Sequence, residues 1–202
     1  MSRILKICGI TNQEDAGAAI AAGATAIGFN FYARSPRYLD PERAAAIAST
    51  AGVLRVGVFV NESPARVEQI ARIARLDVAQ LQGDETVADY PAAIAVWKAV
   101  RVADGLDLAP FNQLPAEALL LDGPAGQLYG GAGKTFEWSR AAALRKQFVL
   151  AGGLDASNVA AAISLARPWG VDACSRLEAA PGRKDHKKMI AFLAAAKAAF
   201  EL

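Results

Sequence analysis

The sequence contains few of the residues that build cross-links, metal sites and histidine chemistry. It has two cysteines, one histidine and two methionines among 202 residues. Two cysteines do not provide a disulfide framework and are typical of a reducing compartment, so we expect a cytoplasmic protein. No apolar run reaches the roughly 18–20 residues of a membrane span, and no signal-like apolar segment opens the chain, so we expect no membrane partner.

An excess of charge of one sign is also lacking. The 22 lysines and arginines nearly balance the 20 aspartates and glutamates, and the net charge is +2. Such a balance indicates neither a nucleic-acid partner nor a membrane surface. The single histidine, His186, lies in the basic run from Arg183 to Lys188, which is typical of a solvated helix start. We therefore expect no histidine acid–base chemistry.

The apolar content and the order of segments indicate the fold. The composition is 53% hydrophobic, which is ample for one buried core in 202 residues and short for two, so we expect one domain over residues 1–202. Strand-like and helix-like segments alternate from end to end, which predicts a parallel sheet with helical crossovers. About eight strand–helix units favour an α/β fold of the (β/α)₈ TIM-barrel type, whose lower length limit is roughly 200 residues.

Two of the crossovers differ in the helix that is expected. A helix is predicted from Thr86 to Ile94, and the fifth crossover, around Gly105 to Gln113, is expected to have a reduced helix.

An open doubly wound sheet is the structural alternative, and it would carry a G-x-G-x-x-G turn after the first strand. The turn that follows Cys8 does not have this pattern.

The end of the first predicted strand carries a candidate base. Arg3 to Ile7 reads as a strand that Gly9 ends, which places Cys8 at the carboxyl rim where parallel α/β folds bind ligands. Alternation puts Lys6 and Cys8 on one face, so the ammonium would help to lower the pKa of the thiol. The alternative is a cysteine that is simply small and buried.

Asp122 is the candidate acid. It follows the apolar run Leu119 to Leu121, so partial burial would raise the pKa of its carboxyl and suit it to donate a proton. A carboxylate that caps the following loop is the alternative.

Glycine-bearing segments predict a phosphate site. Gly152 and Gly153 end strand seven, Ser175 follows strand eight, and the loops after those two strands commonly cradle phosphate in such barrels. The segment from Gly130 to Thr135 resembles the end of a nucleotide P-loop, but Leu128 stands where the first glycine is needed. A lid or phosphate loop explains this segment better, with a plain connection as the alternative.

Several long motifs in one order and spacing resemble the phosphoribosylanthranilate isomerase family of tryptophan biosynthesis. The resemblance runs from Lys6 to the region of His186. Its motifs are KICGIT (Lys6 to Thr11), GFNFYARSPRYL (Gly28 to Leu39), RVGVFVNESP (Arg55 to Pro64), AQLQGDE (Ala79 to Glu85), LLLDG (Leu119 to Gly123), GGAGKTFEW (Gly130 to Trp138), LAGGLDASNV (Leu150 to Val159) and PWGVDACSRLEAAPGRKD (Pro168 to Asp185).

The resemblance implies an activity and roles for particular residues. The family adopts a (β/α)₈ barrel and converts N-(5-phosphoribosyl)anthranilate to 1-(2-carboxyphenylamino)-1-deoxyribulose 5-phosphate by an Amadori rearrangement, without a cofactor. By this resemblance Asp122 is the general acid, Cys8 is the general base, and Arg37 holds the anthranilate carboxylate. The residues implied for the substrate phosphate are Gly131, Gly133, Gly152, Gly153 and Ser175. No residue is assigned to a metal.

Three positions depart from the family pattern. Gln82 stands where the family usually has histidine, so an amide would have to make that substrate contact. Arg176 replaces the glycine that usually follows Ser175, and we hypothesise that its guanidinium binds the phosphate dianion. Ala132 replaces the usual hydroxyl residue in the glycine-rich loop.

Alternatives remain at this stage. One is a related phosphosugar isomerase of the histidine pathway, and another is a catalytically silent barrel that binds a phosphorylated ligand. The set of Cys8, Arg37 and Asp122 favours the tryptophan-pathway substrate. A monomer is favoured over a homodimer because no apolar segment remains once the barrel helices are assigned. Cys8 and Cys174 lie on strands that are neighbours in a closed barrel, so they are also candidates for joint oxidation.

Overall fold

Eight parallel strands form a closed barrel in chain order, with β1 hydrogen-bonded to β8. The computed structural model describes residues 3–48, 50–123 and 137–201. The prediction of a TIM barrel is confirmed. The strands are β1 (Ile4–Ile7), β2 (Ala26–Asn30), β3 (Leu54–Phe59), β4 (Val78–Leu81), β5 (Ala95–Arg101), β6 (Ala118–Asp122), β7 (Phe148–Leu150) and β8 (Gly170–Ala173).

In the part of the chain that the structure describes, five α-helices pack outside the barrel, and several crossovers are shorter. The helices are α1 (Gln13–Ala21), α2 (Pro41–Ala46), α3 (Pro64–Ala74), α4 (Val159–Ala166) and α5 (His186–Glu201). Short 3₁₀ turns lie after β4, β5 and β6, at Val87–Asp89, Ala109–Gln113 and Trp138–Ala143. The reduced fifth helix is thus confirmed. An antiparallel hairpin of β9 (Glu178–Ala180) and β10 (Arg183–Lys184) lies between β8 and α5.

The predicted helix from Thr86 to Ile94 is wrong. Only Val87–Asp89 forms a helical turn, and Tyr90 is extended, with φ −77° and ψ 130°. Tyr90 precedes Pro91, whose ring disfavours helical geometry in the residue before it and which has no N–H to donate. The proline therefore ends the turn before a helix can develop.

Helix ends follow local sequence signals. The side chain of Asn12 accepts a hydrogen bond from the N–H of Asp15 at the start of α1, and that of Ser63 accepts one from the N–H of Arg66 at the start of α3. The buried Arg55 binds carbonyls at the far ends of α2 and α3, at 2.8 Å from Ile47 O and 2.9 Å from Ala74 O. These contacts anchor both helices to β3.

Two apolar clusters stabilise the barrel. The larger cluster lies between the strands and the surrounding helices, and the smaller one fills the barrel interior. Trp97 is fully buried in the inner cluster and packs edge-on against Trp169, with ring centroids 5.7 Å apart. The inner cluster consists of Ile4, Ala26, Val56, Val78, Trp97, Ala99, Ala118, Leu120, Val149 and Ala151. A filled interior leaves the carboxyl rim as the open end of the barrel.

The closure of β1 on β8 fixes the positions of the side chains at that rim. Lys6 lies opposite Asp172 and Ile7 lies opposite Ala173 in the strand register. The N–H of Cys8 donates to Ala173 O at 3.0 Å, which continues the ladder one residue past β1. Within the described ranges, no helix has the length and apolar character needed to cross a membrane.

Candidate active site

A buried ion pair lies beneath the rim at the junction of β1 and β8. Lys6 has no exposed surface, and its Nζ is 3.0 Å from Oδ1 of Asp172. Burial lowers the pKa of Lys6, but Asp172 and the Cys8 sulfur outweigh this effect and keep the pKa above its ordinary value. Lys6 is therefore a permanent cation at the base of the site.

Cys8 lies two residues after Lys6, just past the end of β1, and faces the same cation. A hydrogen bond from Cys174 is the largest cause that lowers the pKa of the Cys8 thiol well below its ordinary value. Burial opposes the shift, and the positive charge of Lys6 adds to it. Both cysteines are free thiols. The prediction that Lys6 and Cys8 share one face is confirmed, and a thiolate at Cys8 can accept a proton.

Asp122 ends β6 at the same rim. Burial raises the pKa of its carboxyl from 3.8 to about 6, against the lowering effect of a hydrogen bond from the Gly123 N–H. Nε2 of Gln82 donates to Oδ2 of Asp122 at 3.3 Å, and Nε2 of Gln80 donates to Oε1 of Gln82 at 2.7 Å. A carboxyl with this pKa is partly protonated near neutrality, so it can donate a proton.

The side chain of Gln82 therefore contacts Asp122, the predicted acid. Its side chain is buried, and the bond from Gln80 fixes its amide so that the N–H group points at Asp122. The sequence indicated that an amide replaces the usual histidine here. It did not indicate that the neighbour two residues earlier on β4 would orient that amide.

Arg37 lies on the loop after β2 and binds a carboxylate of this chain. Its Nε and Nη2 donate to the two oxygens of Glu178 at 2.8 and 2.7 Å, in a bidentate fork. The hydrogen bonds that Arg37 donates to Glu178 raise the pKa of Arg37, although burial opposes this shift. Nζ of Lys184 binds the same Glu178 Oε1 at 3.1 Å. The Nη1 amino group of Arg37 lies outside the fork.

The loops after β7 and β8 meet where the phosphate site is predicted. Gly152 and Gly153 have φ values of +88° and +63°, a conformation that glycine adopts without strain. Ser175 begins the 3₁₀ turn Ser175–Leu177 directly after β8. Nη1 of Arg176 is 2.8 Å from Oδ2 of Asp155, so this ion pair joins the two loops. The predicted residues Gly131 and Gly133 lie outside the described residues.

Sequence reasoning missed three charged residues of the site, namely Asp172, Glu178 and Lys184. Asp172 had a signal, because alternation back from Cys174 places it on the barrel face beside Lys6. Burial raises the pKa of Asp172 to about 7, against the opposing charge of Lys6. Glu178 and Lys184 lie on the hairpin of β9 and β10, and no periodic pattern in the sequence marks that hairpin.

The arrangement places an acid and a base at one end of one barrel. The carboxyl of Asp122 has a raised pKa and the thiol of Cys8 has a lowered one, and the negative charge of Cys8 contributes to the raised pKa of Asp122. Two groups with pKa values shifted in opposite directions can donate and accept protons in one reaction. No cluster of three metal-ligating side chains occurs in residues 3–48, 50–123 or 137–201.

Comparisons with known proteins agree with this geometry. A model of the N-(5'-phosphoribosyl)anthranilate isomerase family matches residues 5–195. A relative of that name from Solibacter usitatus is 68% identical over 196 residues, which are 97% of this chain and 98% of the relative. The crystal structure of phosphoribosyl anthranilate isomerase from Thermotoga maritima is 40% identical, with a TM-score of 0.86 over 98% of this chain and 100% of that one.

A further solved structure is of phosphoribosyl anthranilate isomerase with a bound ligand. It is 38% identical, with a TM-score of 0.83 over 98% of this chain and 100% of that chain. Its ligand is reduced 1-(o-carboxyphenylamino)-1-deoxyribulose 5-phosphate. The family match, from residue 5 to residue 195, includes all of the rim residues described above.

Proposed function

The chain belongs to the N-(5'-phosphoribosyl)anthranilate isomerase family of tryptophan biosynthesis, and we propose that Asp122 and Cys8 are the acid and the base of its isomerisation. The observation that carries this proposal is that both side chains lie at one rim, Asp122 at the end of β6 beside Gln82 and Cys8 just past the end of β1 beside Lys6. The opposite pKa shifts, raised at Asp122 and lowered at Cys8, agree with it. The substrate is N-(5-phosphoribosyl)anthranilate, and the product is 1-(2-carboxyphenylamino)-1-deoxyribulose 5-phosphate. A cytoplasmic location and a monomeric state stay predictions.

Asp122 acts first, as the general acid. Protonated Asp122 gives its proton to the furanose ring oxygen, the C1–O bond breaks, and the nitrogen lone pair forms an iminium at C1. The pKa of about 6 keeps a usable protonated fraction near neutrality. Gln82, which Gln80 orients, holds the carboxyl in place through the whole step.

Cys8 then acts as the general base. Its thiolate removes the proton from C2, the electron pair moves towards the iminium, and an enolamine forms. The enolamine tautomerises to the ketone, so the product is an isomer of the substrate and no external reductant or oxidant is needed. Lys6 beneath the sulfur stabilises the thiolate before this step.

Two positive regions would hold the ends of the substrate. Arg37, whose position Glu178 fixes, offers its Nη1 group to the anthranilate carboxylate. The phosphate would lie against the backbone of Gly152 and Gly153, beside Ser175. We further propose that Gly131 and Gly133 contribute to this phosphate site, as the family resemblance implies.

The loss of anthranilate fluorescence on mixing with fresh phosphoribosylanthranilate tests the two roles. We expect rapid turnover by the parent chain and a fall of about 10²–10⁴-fold in kcat for both Cys8→Ser and Asp122→Asn. Asp104→Asn, on an exposed loop, is the matched control and should keep the parent rate. Retention of near-parent kcat in either rim variant would remove that residue from the mechanism.

The same assay separates the alternative functions. A folded parent chain that binds the reduced product analogue without turning over phosphoribosylanthranilate would be a silent phosphosugar-binding barrel. Turnover of the corresponding aminoimidazole carboxamide ribotide at a comparable rate would indicate a second, histidine-pathway activity. The presence of both Cys8 and Asp122 in one site favours the tryptophan-pathway reaction alone.

A further inference from the structure

The hairpin of β9 and β10 brings a second buried cation close to Arg37, and the mechanism above does not use it. We propose that Lys184 is a positioning residue for substrate selection: its ammonium neutralises Glu178, so that the guanidinium of Arg37 keeps a net positive charge for a carboxylate on the aromatic ring of the substrate. This inference rests on the proposed role of Arg37, and it deepens that role by naming the residue that makes Arg37 selective.

The side chain of Arg37 reaches the rim across a glycine at the end of β1. A Cβ added to Gly9 would lie 2.8 Å from Cδ of Arg37, so a side chain at this position would push against the stem of Arg37. Gly9 also has φ +72°, a conformation that favours glycine. Gly9 follows Cys8 directly, so the stem of Arg37 passes next to the proposed base.

Glu178 fixes the guanidinium of Arg37 but also cancels its charge. The two carboxylate oxygens accept from Nε and Nη2 at 2.8 and 2.7 Å, and the side chain of Glu178 is only 5% exposed. A bidentate pair of this kind sets the plane of the guanidinium. With Glu178 as its only partner, Arg37 would offer the substrate an oriented donor, Nη1, without a net charge.

Lys184 returns a positive charge to this pair. Its Nζ lies 3.1 Å from Oε1 of Glu178, and its side chain has no exposed surface. The same Nζ donates to the carbonyl oxygen of Cys174 at 3.3 Å and lies 3.6 Å from the sulfur of that residue. Burial raises the pKa of Glu178, but hydrogen bonds from Arg37 and the charge of Lys184 outweigh it and hold this pKa below its ordinary value. Glu178 is therefore ionised, and water screens these buried charges far less than surface charges.

The balance of charges shows what Lys184 adds. Arg37, Glu178 and Lys184 together carry one net positive charge, whereas Arg37 and Glu178 alone carry none. Lys6 offsets the thiolate proposed at Cys8, so it adds no charge for the ring of the substrate. A carboxylate on that ring is therefore attracted by Lys184 without touching it. A ring that lacks the carboxylate gains nothing from the same charge.

The backbone of Lys184 is held by contacts that do not involve its ammonium. Its N–H donates to Oδ2 of Asp15 at 2.9 Å, and Oδ1 of Asp15 lies 2.8 Å from Nε2 of His186. In the turn of the same hairpin, Gly182 O accepts from Oγ1 of Thr11 at 2.5 Å. A substitution of the side chain at position 184 should leave these contacts in place, so it reports on the charge.

The binding of two ligands isolates the charge of Lys184. One ligand is the reduced product analogue, and the other is the same molecule with a phenyl ring that lacks the carboxyl group. We would measure both Kd values by calorimetry on the full chain, in the parent, Lys184→Met and Lys184→Gln. The glutamine keeps a polar head group without the charge, which covers a methionine chain that does not fold. We expect the carboxylate ligand to bind at least about tenfold more weakly in both variants, and the other ligand to bind within about twofold of the parent.

Turnover gives a second readout, and an exposed lysine gives the control. In Lys184→Met the KM for phosphoribosylanthranilate should rise by about tenfold and kcat should change far less, because the ring carboxylate makes the same contact in the ground and transition states. Lys197→Met makes the same chemical change at an exposed position of α5 and should keep both parent Kd values.

The outcomes separate this inference from the proposed function. Arg37→Met tests the assignment of Arg37 on its own and should weaken the binding of the carboxylate ligand alone. If it does so while both Lys184 variants bind the two ligands as the parent does, Lys184 takes no part in selection and the inference is wrong. Equal weakening of both ligands in the Lys184 variants would show a structural role and would also overturn it. If Arg37→Met weakens both ligands equally, the assignment of Arg37 fails, and the inference fails with it.

Discussion

The two halves of the barrel interior are built from the same strands and have opposite chemistry. The half nearer the strand starts, here the apolar half, is lined by Ile4, Val56, Val78 and Trp97. The half nearer the strand ends, here the polar half, contains Lys6, Cys8, Gln80, Asp122 and Asp172. On β1 the change from Ile4 to Lys6 takes two residues on one face, and on β4 the change from Val78 to Gln80 takes two as well.

Both halves have the same strand backbone, so their difference comes from the side chains. The side chains of the apolar half stabilise the fold, and those of the polar half form the candidate site. The apolar half gains free energy of folding from dense packing. In the polar half, burial of charge opposes folding, and paired partners such as Lys6 and Asp172 only offset that cost. The raised pKa values of Asp122 and Asp172 reflect this cost of burying a charge. Shifted pKa values of this kind are typical of functional sites.

The largest expected effect on stability comes from breaking the ion pair of the polar half. Lys6→Met leaves the carboxyl of Asp172 buried without its cation, and we expect a loss of about 3–5 kcal/mol in the free energy of unfolding. The loss should shrink as the pH falls below the pKa of Asp172, because protonation removes the buried charge. Urea unfolding across a range of pH measures both effects.

Trp97→Ala is the matched change in the apolar half. It leaves a cavity beneath the site and should cost a similar amount, about 3–5 kcal/mol, through lost packing. This loss should not depend on pH, because Trp97 carries no titratable group and packs within the apolar inner cluster. The same pH dependence in both variants would mean that the two halves do not differ in the way described.

A smaller effect of opposite sign is expected at Asp122. Burial raises the pKa of this carboxyl from 3.8 to about 6, so the folded state binds its proton more tightly than the unfolded state does. The stabilisation from that proton is complete below about pH 4 and is lost as the pH rises through 6. Asp122→Asn has no charge to bury, so its free energy of unfolding at pH 8 should be about 1–3 kcal/mol higher than that of the parent.

Thermal unfolding at several pH values checks this prediction. The stabilisation in Asp122→Asn should vanish near pH 4, where the parent carboxyl is protonated in both states. Turnover in the same variant should be nearly abolished, so one substitution would raise stability and remove activity. An Asp122→Asn chain that is less stable than the parent at pH 8 would show that the carboxylate is not strained by burial.

Short-range sequence patterns predicted most of the barrel and the two candidate acid–base residues. Strand alternation predicted that Lys6 and Cys8 share one face, and the apolar run before Asp122 predicted a partly buried carboxyl with a raised pKa at a strand end; both predictions are confirmed. The error at Thr86 to Ile94 came from overlooking how Pro91 restricts the residue before it.

The contacts that complete the site join distant parts of the chain, and periodicity does not report them. Arg37 meets Glu178 across 141 residues, and Thr11 Oγ1 donates to Gly182 O across 171. Such pairs depend on how β1 closes on β8 and on where the hairpin of β9 and β10 lies. A local pattern predicts which residues face the site, whereas the partners that tune them require the folded barrel.

The smallest expected effect is at the edge of the polar half, where Arg176 pairs with Asp155. The Arg176 side chain is 45% exposed, so water screens its charge and its contribution to phosphate binding should be modest. We expect Arg176→Gly to raise KM by about tenfold or less with kcat nearly unchanged, since the phosphate contact is the same in the ground and transition states.

Asp155→Asn is the matched control: it releases the guanidinium from a competing carboxylate, and should leave KM unchanged or lower it. If Arg176→Gly lowers KM instead, the guanidinium obstructs the approach of phosphate to the backbone, and the two loops rather than the charge bind the dianion.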